Sequence, residues 1–116
     1  MIASLHGKVE ARTDDSLILN VSGVGYRVRV PTPTLASLGA IGSDAMLFTH
    51  LHVREDEMSL YGFATQDELG LFEKLLTVSG IGPKVGLSVL SNASPETIRY
   101  AIAQGNADAS ERARSE

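Results

Sequence analysis

The sequence predicts an α+β protein in which a small β-barrel is followed by helices. Two observations support this. Residues 1–64 contain five short apolar or alternating segments separated by turn residues. From residue 65 onward, the apolar residues recur at helical spacing, with a glycine-rich interruption at 80–82. Five short strands with one longer connection fit a small closed barrel of the OB type. An SH3-like barrel is the competing interpretation, because periodicity alone does not separate the two.

The five predicted strands follow one another through the first half of the chain. A turn at 22–25 separates the second and third strands, and Pro31 and Pro33 end the third. In the third strand, Tyr26, Val28 and Val30 alternate with two arginines on the opposite face. One helical turn is predicted at 34–38. The predicted strands span residues 2–9, 16–21, 26–30, 45–53 and 59–63.

Capping signals place three helices in the second half. Thr65 and Glu68 form a capping box that starts a helix ending near residue 77. A second helix is predicted over 83–90, and Ser94 followed by Pro95 starts a third, which ends near residue 104. These patterns divide the chain into domains at 1–64 and 65–105, with a flexible tail at 106–116.

Composition restricts the classes of function. With 116 residues, 43% of them hydrophobic, the chain is long enough for one domain or two very small ones. The absence of cysteine excludes disulfides and thiolate metal sites. A net charge of −4 argues against a general DNA coat, so any DNA contact must come from local patches. No long apolar run indicates a membrane span or signal peptide, and we expect a cytoplasmic protein without a membrane partner.

The segment from Val78 to Val85 is the most informative motif. Gly80 and Gly82 can turn the backbone sharply and leave its N–H groups uncovered, and Pro83 suits the first turn of a helix. Such a helix start favours an anion, and Lys84 adds a cation. The predicted ligand is a nucleic-acid phosphate, bound without reading any base. An ordinary Gly-Pro turn is the alternative, but the apolar helices on both sides resemble a helix-hairpin-helix unit of DNA-binding proteins.

The acidic run from Arg54 to Glu57 lies between the fourth and fifth predicted strands and has three interpretations. It is a solvated turn, a metal site built from the Glu55–Glu57 carboxylates, or an electrostatic element that repels DNA phosphates. Adjacent strand side chains point to opposite faces, which disfavours the metal site. His6, His50 and His52 are better explained as surface or barrel residues than as zinc ligands.

Taken together, four segments in the same order resemble the RuvA family of proteins that bind four-way (Holliday) DNA junctions. The resemblance covers residues 1 to about 105. The segments are Met1-Ile2-Ala3-Ser4-Leu5-His6-Gly7, Gly23-Val24-Gly25-Tyr26-Arg27-Val28, the run from Val53 to Phe63, and Leu71-Phe72 leading to Ser79-Gly80-Ile81-Gly82-Pro83-Lys84. The family's fold, an OB barrel followed by helix-hairpin-helix motifs, is the one that the patterns predict.

The resemblance implies a role for each candidate residue. Glu55 and Asp56 match an acidic pin at the centre of a homotetramer, where DNA strands separate. Ser79, Gly80, Gly82, Lys84 and Arg54 are the expected contacts to the DNA backbone.

It also implies partners and a biological setting. The family acts in recombination, DNA repair and the SOS response, and a RuvB-type ATPase drives branch migration. The second glycine hairpin and the RuvB-docking domain of that family have no counterpart here. The sequence also has no ATP-binding motif, which excludes an autonomous motor, and we expect a binding protein without catalytic residues, cofactor or metal. The rival hypothesis is a metal-dependent nuclease that uses Glu55–Glu57, and a third is a protein-interaction barrel with an appended helical bundle.

Overall fold

The computed structural model describes residues 1–78 and 80–104. The chain forms two compact units, of which the first ends at Leu69 and the second begins at Gly70. This boundary falls inside a helix, whereas the sequence pattern placed it before that helix. The predicted tail at 106–116 and the predicted contact Ser79 lie outside the described residues.

The first unit contains a closed barrel of five strands. Around the barrel the strand order is β1-β2-β3-β5-β4, and β1 and β4 close it. Strands β3 and β5 pair in parallel, while the other neighbours are antiparallel. This arrangement confirms the predicted OB-type barrel. Its elements are β1 (Ser4–Arg12), β2 (Ser16–Val21), β3 (Val24–Arg29), the short helix α1 (Thr32–Ser37), β4 (Asp44–Arg54) and β5 (Glu57–Phe63).

Alternation along the strands fills the barrel. Leu17 pairs with Val28 and Leu19 with Tyr26, so that β2 and β3 point leucine and valine side chains inward. Gly62 is required at one crowded point, since a Cβ there would lie 2.6 Å from a methyl carbon of Val28. The buried core residues of the barrel are Leu5, Val9, Leu17, Leu19, Val28, Val30, Leu35, Ala45, Leu47 and Leu60.

Strand β1 continues beyond the predicted end at residue 9 because Ala11 and Arg12 pair with Ile18 and Leu17 of β2. The Arg12 guanidinium donates hydrogen bonds to the carbonyl oxygens of Leu35, at 2.6 Å, and Gly39, at 3.2 Å. An irregularity in the pairing with β2 between Val9 and Ala11 adjusts the strand's register. Arg12 thereby connects the end of β1 to the carboxyl end of α1.

Three helices follow the barrel: α2 (Gln66–Leu76), α3 (Pro83–Asn92) and α4 (Pro95–Gln104). The predicted caps are confirmed, because the Thr65 hydroxyl accepts the Glu68 N–H at 3.1 Å and the Ser94 hydroxyl accepts the Thr97 N–H at 3.2 Å. Apolar residues of the second unit are buried, namely Leu71, Phe72, Leu75, Val78, Ile81, Leu90 and Ile98. Across the described ranges, every helix is too short or too polar to cross a lipid bilayer.

Candidate nucleic-acid interface

The glycine hairpin, Gly80-Ile81-Gly82, joins α2 to α3 and is anchored by its buried apolar residue. Ile81 is only 6% exposed, and its N–H donates to the carbonyl oxygen of Val78 at 3.2 Å. Gly80 has a φ of +86°, a conformation that an L side chain rarely adopts. The buried isoleucine and the left-handed glycine together fix the turn, while Gly80 and Gly82 themselves are exposed.

At the start of α3, two backbone N–H groups have no hydrogen-bond partner within the part of the chain that the structure describes. Gly82 is the N-cap, has no side chain to accept a hydrogen bond, and is followed by Pro83 at the first helical position. The Gly82 carbonyl accepts the Gly86 N–H at 2.9 Å, which leaves the N–H groups of Lys84 and Val85 without an intrahelical partner. The Lys84 side chain is exposed at the same helix start. Two amides, a helix dipole and one cation therefore favour an anion here.

Gly80 and Gly82 differ in whether the protein's own structure requires glycine at that position. Gly82 has an ordinary φ of −92°, and a Cβ built on it meets no atom within 4 Å. Neither the backbone nor the packing of the described chain therefore requires glycine at this position. A ligand that approaches the amides closely would require it. Of the two, only Gly80 has a left-handed backbone.

The acidic turn consists of Glu55 and Asp56, which join β4 directly to β5. Arg54 pairs with Glu57 at the base of the turn, so the loop is two residues long rather than the longer loop implied by the predicted strand ends. All four residues are exposed to solvent. Glu57 lies on the strand, and one of its carboxylate oxygens accepts the Ser59 hydroxyl at 2.8 Å. The tip of the hairpin therefore presents the carboxylates of Glu55 and Asp56 to solvent.

The metal-site interpretation of this turn finds no support. In the ranges 1–78 and 80–104, no three His, Asp or Glu side chains form a group that could hold a metal ion. The rings of His50 and His52 stack, with centroids 6.4 Å apart, on β4. His6 lies on β1 opposite Met46, four residues along β4 from His50. The three histidines therefore do not converge on one site.

The structure places the predicted residues in two units: the acidic turn in the first and the glycine hairpin in the second. Arg54 is exposed beside the acidic turn. The sequence pattern indicates no role for Arg27 and Arg29, although it shows that they alternate with apolar residues. Their neighbours on the barrel surface could not be predicted, because the adjacent strand β5 is more than 25 residues away in sequence and pairs with β3 in parallel.

An OB-type barrel can bind oligonucleotides, and a helix start with bare amides can hold a phosphate, so the two together are typical of a class of nucleic-acid-binding proteins. The comparisons with known proteins agree with this class. Residues 1–62 match the family model described as the RuvA N terminal domain. That match covers more than half of the chain, and the chain belongs to this family.

Similar proteins extend the match beyond the barrel. The chain is 53% identical over 108 residues to a protein of Dehalococcoides mccartyi, a match that covers 93% of this chain and 56% of that protein. It is 52% identical over 104 residues to one from Herpetosiphon aurantiacus, covering 90% of this chain and 53% of the relative. Both relatives are named "Holliday junction branch migration complex subunit RuvA". The chain spans about half the length of the curated relatives it matches.

Proposed function

We propose that this chain binds four-way DNA junctions by their shape, without reading base sequence, in homologous recombination and DNA repair. The observation that carries the proposal is the family match over residues 1–62, together with relatives about half identical to this chain that are named as Holliday junction subunits. The glycine hairpin and the acidic turn each have a chemistry that suits this task.

The hairpin would hold the DNA backbone. The N–H groups of Lys84 and Val85 offer two neutral donors, Gly82 lets a phosphate approach, and the Lys84 ammonium adds charge. Gly80 contributes by shaping the turn, and Ser79 belongs to the same segment of the sequence. Contacts of this kind position a duplex arm but carry no sequence information.

The acidic turn would act by repulsion. Glu55 and Asp56 are exposed at the end of a hairpin, where carboxylates repel approaching phosphates. A continuous duplex that crosses such a tip meets this repulsion, whereas a junction can open its strands around it. Arg54, at the base of the turn, would contact the backbone of a strand that passes the tip. The carboxylates would thereby contribute selectivity rather than affinity.

The proposed function also includes an assembly, a location and a partner. We infer a homotetramer, a cytoplasmic location, a place in the SOS response and cooperation with a RuvB-type ATPase in the full-length family. The chain itself would be a non-motor binding subunit without catalytic residue, cofactor or metal. The names of the relatives support the coarser part, a subunit of a branch migration complex. The nuclease hypothesis lacks a supporting metal-binding group among residues 1–78 and 80–104.

A titration of a labelled four-way junction tests the proposal. We expect a discrete complex in both EDTA and Mg²⁺, with the DNA recovered intact after each incubation. Cleavage that requires Mg²⁺ would instead favour the nuclease, and the absence of binding in both buffers would contradict junction binding. A linear duplex with the sequence of two arms serves as the matched DNA control.

A further inference from the structure

One outer face of the barrel is rich in basic side chains. Arg29 on β3 lies opposite Tyr61 on β5, and Tyr61 lies opposite His50 on β4. Residues paired across neighbouring strands point to the same side of the sheet. Arg29, Tyr61 and His50 therefore form one row across three strands, on the side away from Val28 and Leu60. Tyr61 is itself buried, at 2% exposed, and Arg29 and His50 are half-buried, so the exposed basic side chains on this side of the described strands are Arg27 and Arg54.

A second row follows two residues along each strand. Arg27 lies on the same side of β3 as Arg29, and His52 on the same side of β4 as His50, opposite Ser59. Arg54 follows in a third row, beside the acidic turn. We call this surface the arginine face and define it by its basic side chains, Arg27, Arg29, His50, His52 and Arg54.

The arginines on β3 are not neutralised by the protein. In residues 1–78 and 80–104, neither Arg27 nor Arg29 has a hydrogen-bond or ion-pair partner for its guanidinium group. Lys8, by contrast, pairs with Asp44 at 3.1 Å, and Arg12 is bound to carbonyl oxygens. In a chain with a net charge of −4, two unpaired guanidinium groups on one strand form a local basic site.

Among the described residues, several carboxylates lie beside the basic side chains of this face. Glu57 lies opposite Arg54 at the base of the acidic turn. A carboxylate oxygen of Glu10, on β1, lies 3.6 Å from the position that a Cβ on Gly25 would take. Glu55 and Asp56 follow Arg54 at the end of the hairpin. The face is thus basic along β3 and acidic at the acidic turn.

The spacing and the open edge suit a single DNA strand. Arg27 and Arg29 are about 7 Å apart along β3, a distance comparable to that between successive phosphates of one extended strand. The pairing of β3 with β5 includes Val28 and Arg29 of β3, so among the described strands the β5-side edge of Val24–Arg27 has no ladder partner. Backbone N–H groups on such an edge can donate to phosphates beside the guanidinium groups.

We propose that the arginine face binds the phosphodiester backbone of a single DNA strand, with Arg27 and Arg29 on successive phosphates. A duplex laid along β3 would bring further phosphates toward the carboxylates of the acidic turn, whereas a single strand confines its charge to the line of arginines. This inference goes beyond the proposed function, because a single strand can bind here whether or not the hairpin holds a junction.

Fluorescence anisotropy with a labelled oligothymidylate of about 12 nucleotides, within the usual range for one OB barrel, tests the proposal on the whole chain. We expect R27Q/R29Q to weaken binding at least tenfold at low salt. The slope of log affinity against log salt should fall in magnitude by about 1.4, since each phosphate contact to a single strand contributes about 0.7. R27K/R29K should keep the wild-type slope, because the charges remain.

The control K8Q/K74Q removes the same two positive charges at exposed lysines outside the face and should bind as the wild type does. Circular dichroism on each sample checks folding. Three results would overturn the proposal: a wild type that does not bind oligothymidylate, an R27Q/R29Q variant with wild-type slope, or an equal loss in the control. Dissociation of an oligomer by R27Q/R29Q would also overturn it, since the face would then be an interface between copies.

The same titrations separate this inference from the proposed function. A wild type that binds oligothymidylate through the arginines but does not bind four-way junctions would contradict the proposed function and leave this inference standing. Junction binding without any oligothymidylate binding would contradict this inference and leave the proposed function standing.

Discussion

The carboxylates of Glu55 and Asp56 are predicted to lower the affinity for continuous duplex more than for a four-way junction. The perturbation is the double variant E55Q/D56N, which removes both charges and keeps nearly the same shape. Both side chains are exposed on a two-residue turn, so the relevant dielectric constant is close to that of water. At about 4 Å, each carboxylate–phosphate pair then costs about 1 kcal/mol.

Screening reduces this cost. With a Debye length of about 8 Å at physiological ionic strength, each pair retains a little over half of its repulsion, or about 0.6 kcal/mol. Two pairs together are worth about 1.2 kcal/mol, which corresponds to roughly an eightfold change in affinity. We therefore expect E55Q/D56N to bind linear duplex about five- to tenfold more tightly, with a smaller change for a junction that already opens around the tip. Selectivity for the junction should fall accordingly.

Anisotropy titrations of a labelled junction and a duplex of the same arm sequence, at one salt concentration, measure the effect. The matched control is D14N/D15N, which removes two neighbouring exposed carboxylates from a different turn of the same barrel. Both variants carry the same net charge, so a general charge effect would appear in both. An unchanged ratio of junction to duplex affinity in E55Q/D56N would refute the repulsion argument. Binding that weakens only in Mg²⁺ would instead favour a metal site.

Three further predictions concern the hairpin and the assembly. Lys84→Ala should weaken binding to all junction sequences equally and reduce the salt slope by about 0.9; a changed sequence preference would exclude a phosphate contact. Gly80→Val should lower the melting temperature, because left-handed backbone costs a non-glycine residue about 1–2 kcal/mol, whereas Gly82→Val should melt normally but bind junctions poorly. Normal junction binding by a folded Gly82→Val would remove Gly82 from the interface. Sedimentation at micromolar concentration should show a tetramer, and a monomer would contradict assembly through this segment.

Much of the fold could be predicted from the sequence because its signals are local. Short apolar or alternating segments indicated all five strands, and the caps at Thr65 and Ser94 indicated the starts of two helices. The strand ends were predicted less accurately, since β1 continues past an irregularity in its pairing with β2 and ends at Arg12 rather than at residue 9. The choice between OB and SH3-like barrels rested on the parallel pairing of β3 with β5, which periodicity does not report.

The candidate site shows the same division. The Gly-Ile-Gly-Pro-Lys pattern indicated a helix start with bare amides, and the structure has that geometry at Gly82. The different conformations of Gly80 and Gly82 could not be read from identical residues. The arginine face could not be predicted from the sequence. Alternation indicates that Arg27 and Arg29 lie on the same side of their strand, but it does not indicate which strands lie next to it. The order of the strands in the closed barrel determines which side chains adjoin these arginines.

Competition between DNA shapes tests the central claim most directly. A complex of the chain with a labelled four-way junction is challenged with unlabelled junctions whose arm sequences are permuted, and with linear duplexes that carry the original arm sequences. If binding depends on shape and on backbone phosphates, the permuted junctions will displace the label as well as the original does, and the duplexes will displace it poorly. Equal displacement by duplexes, or displacement that follows the arm sequence, would contradict the account.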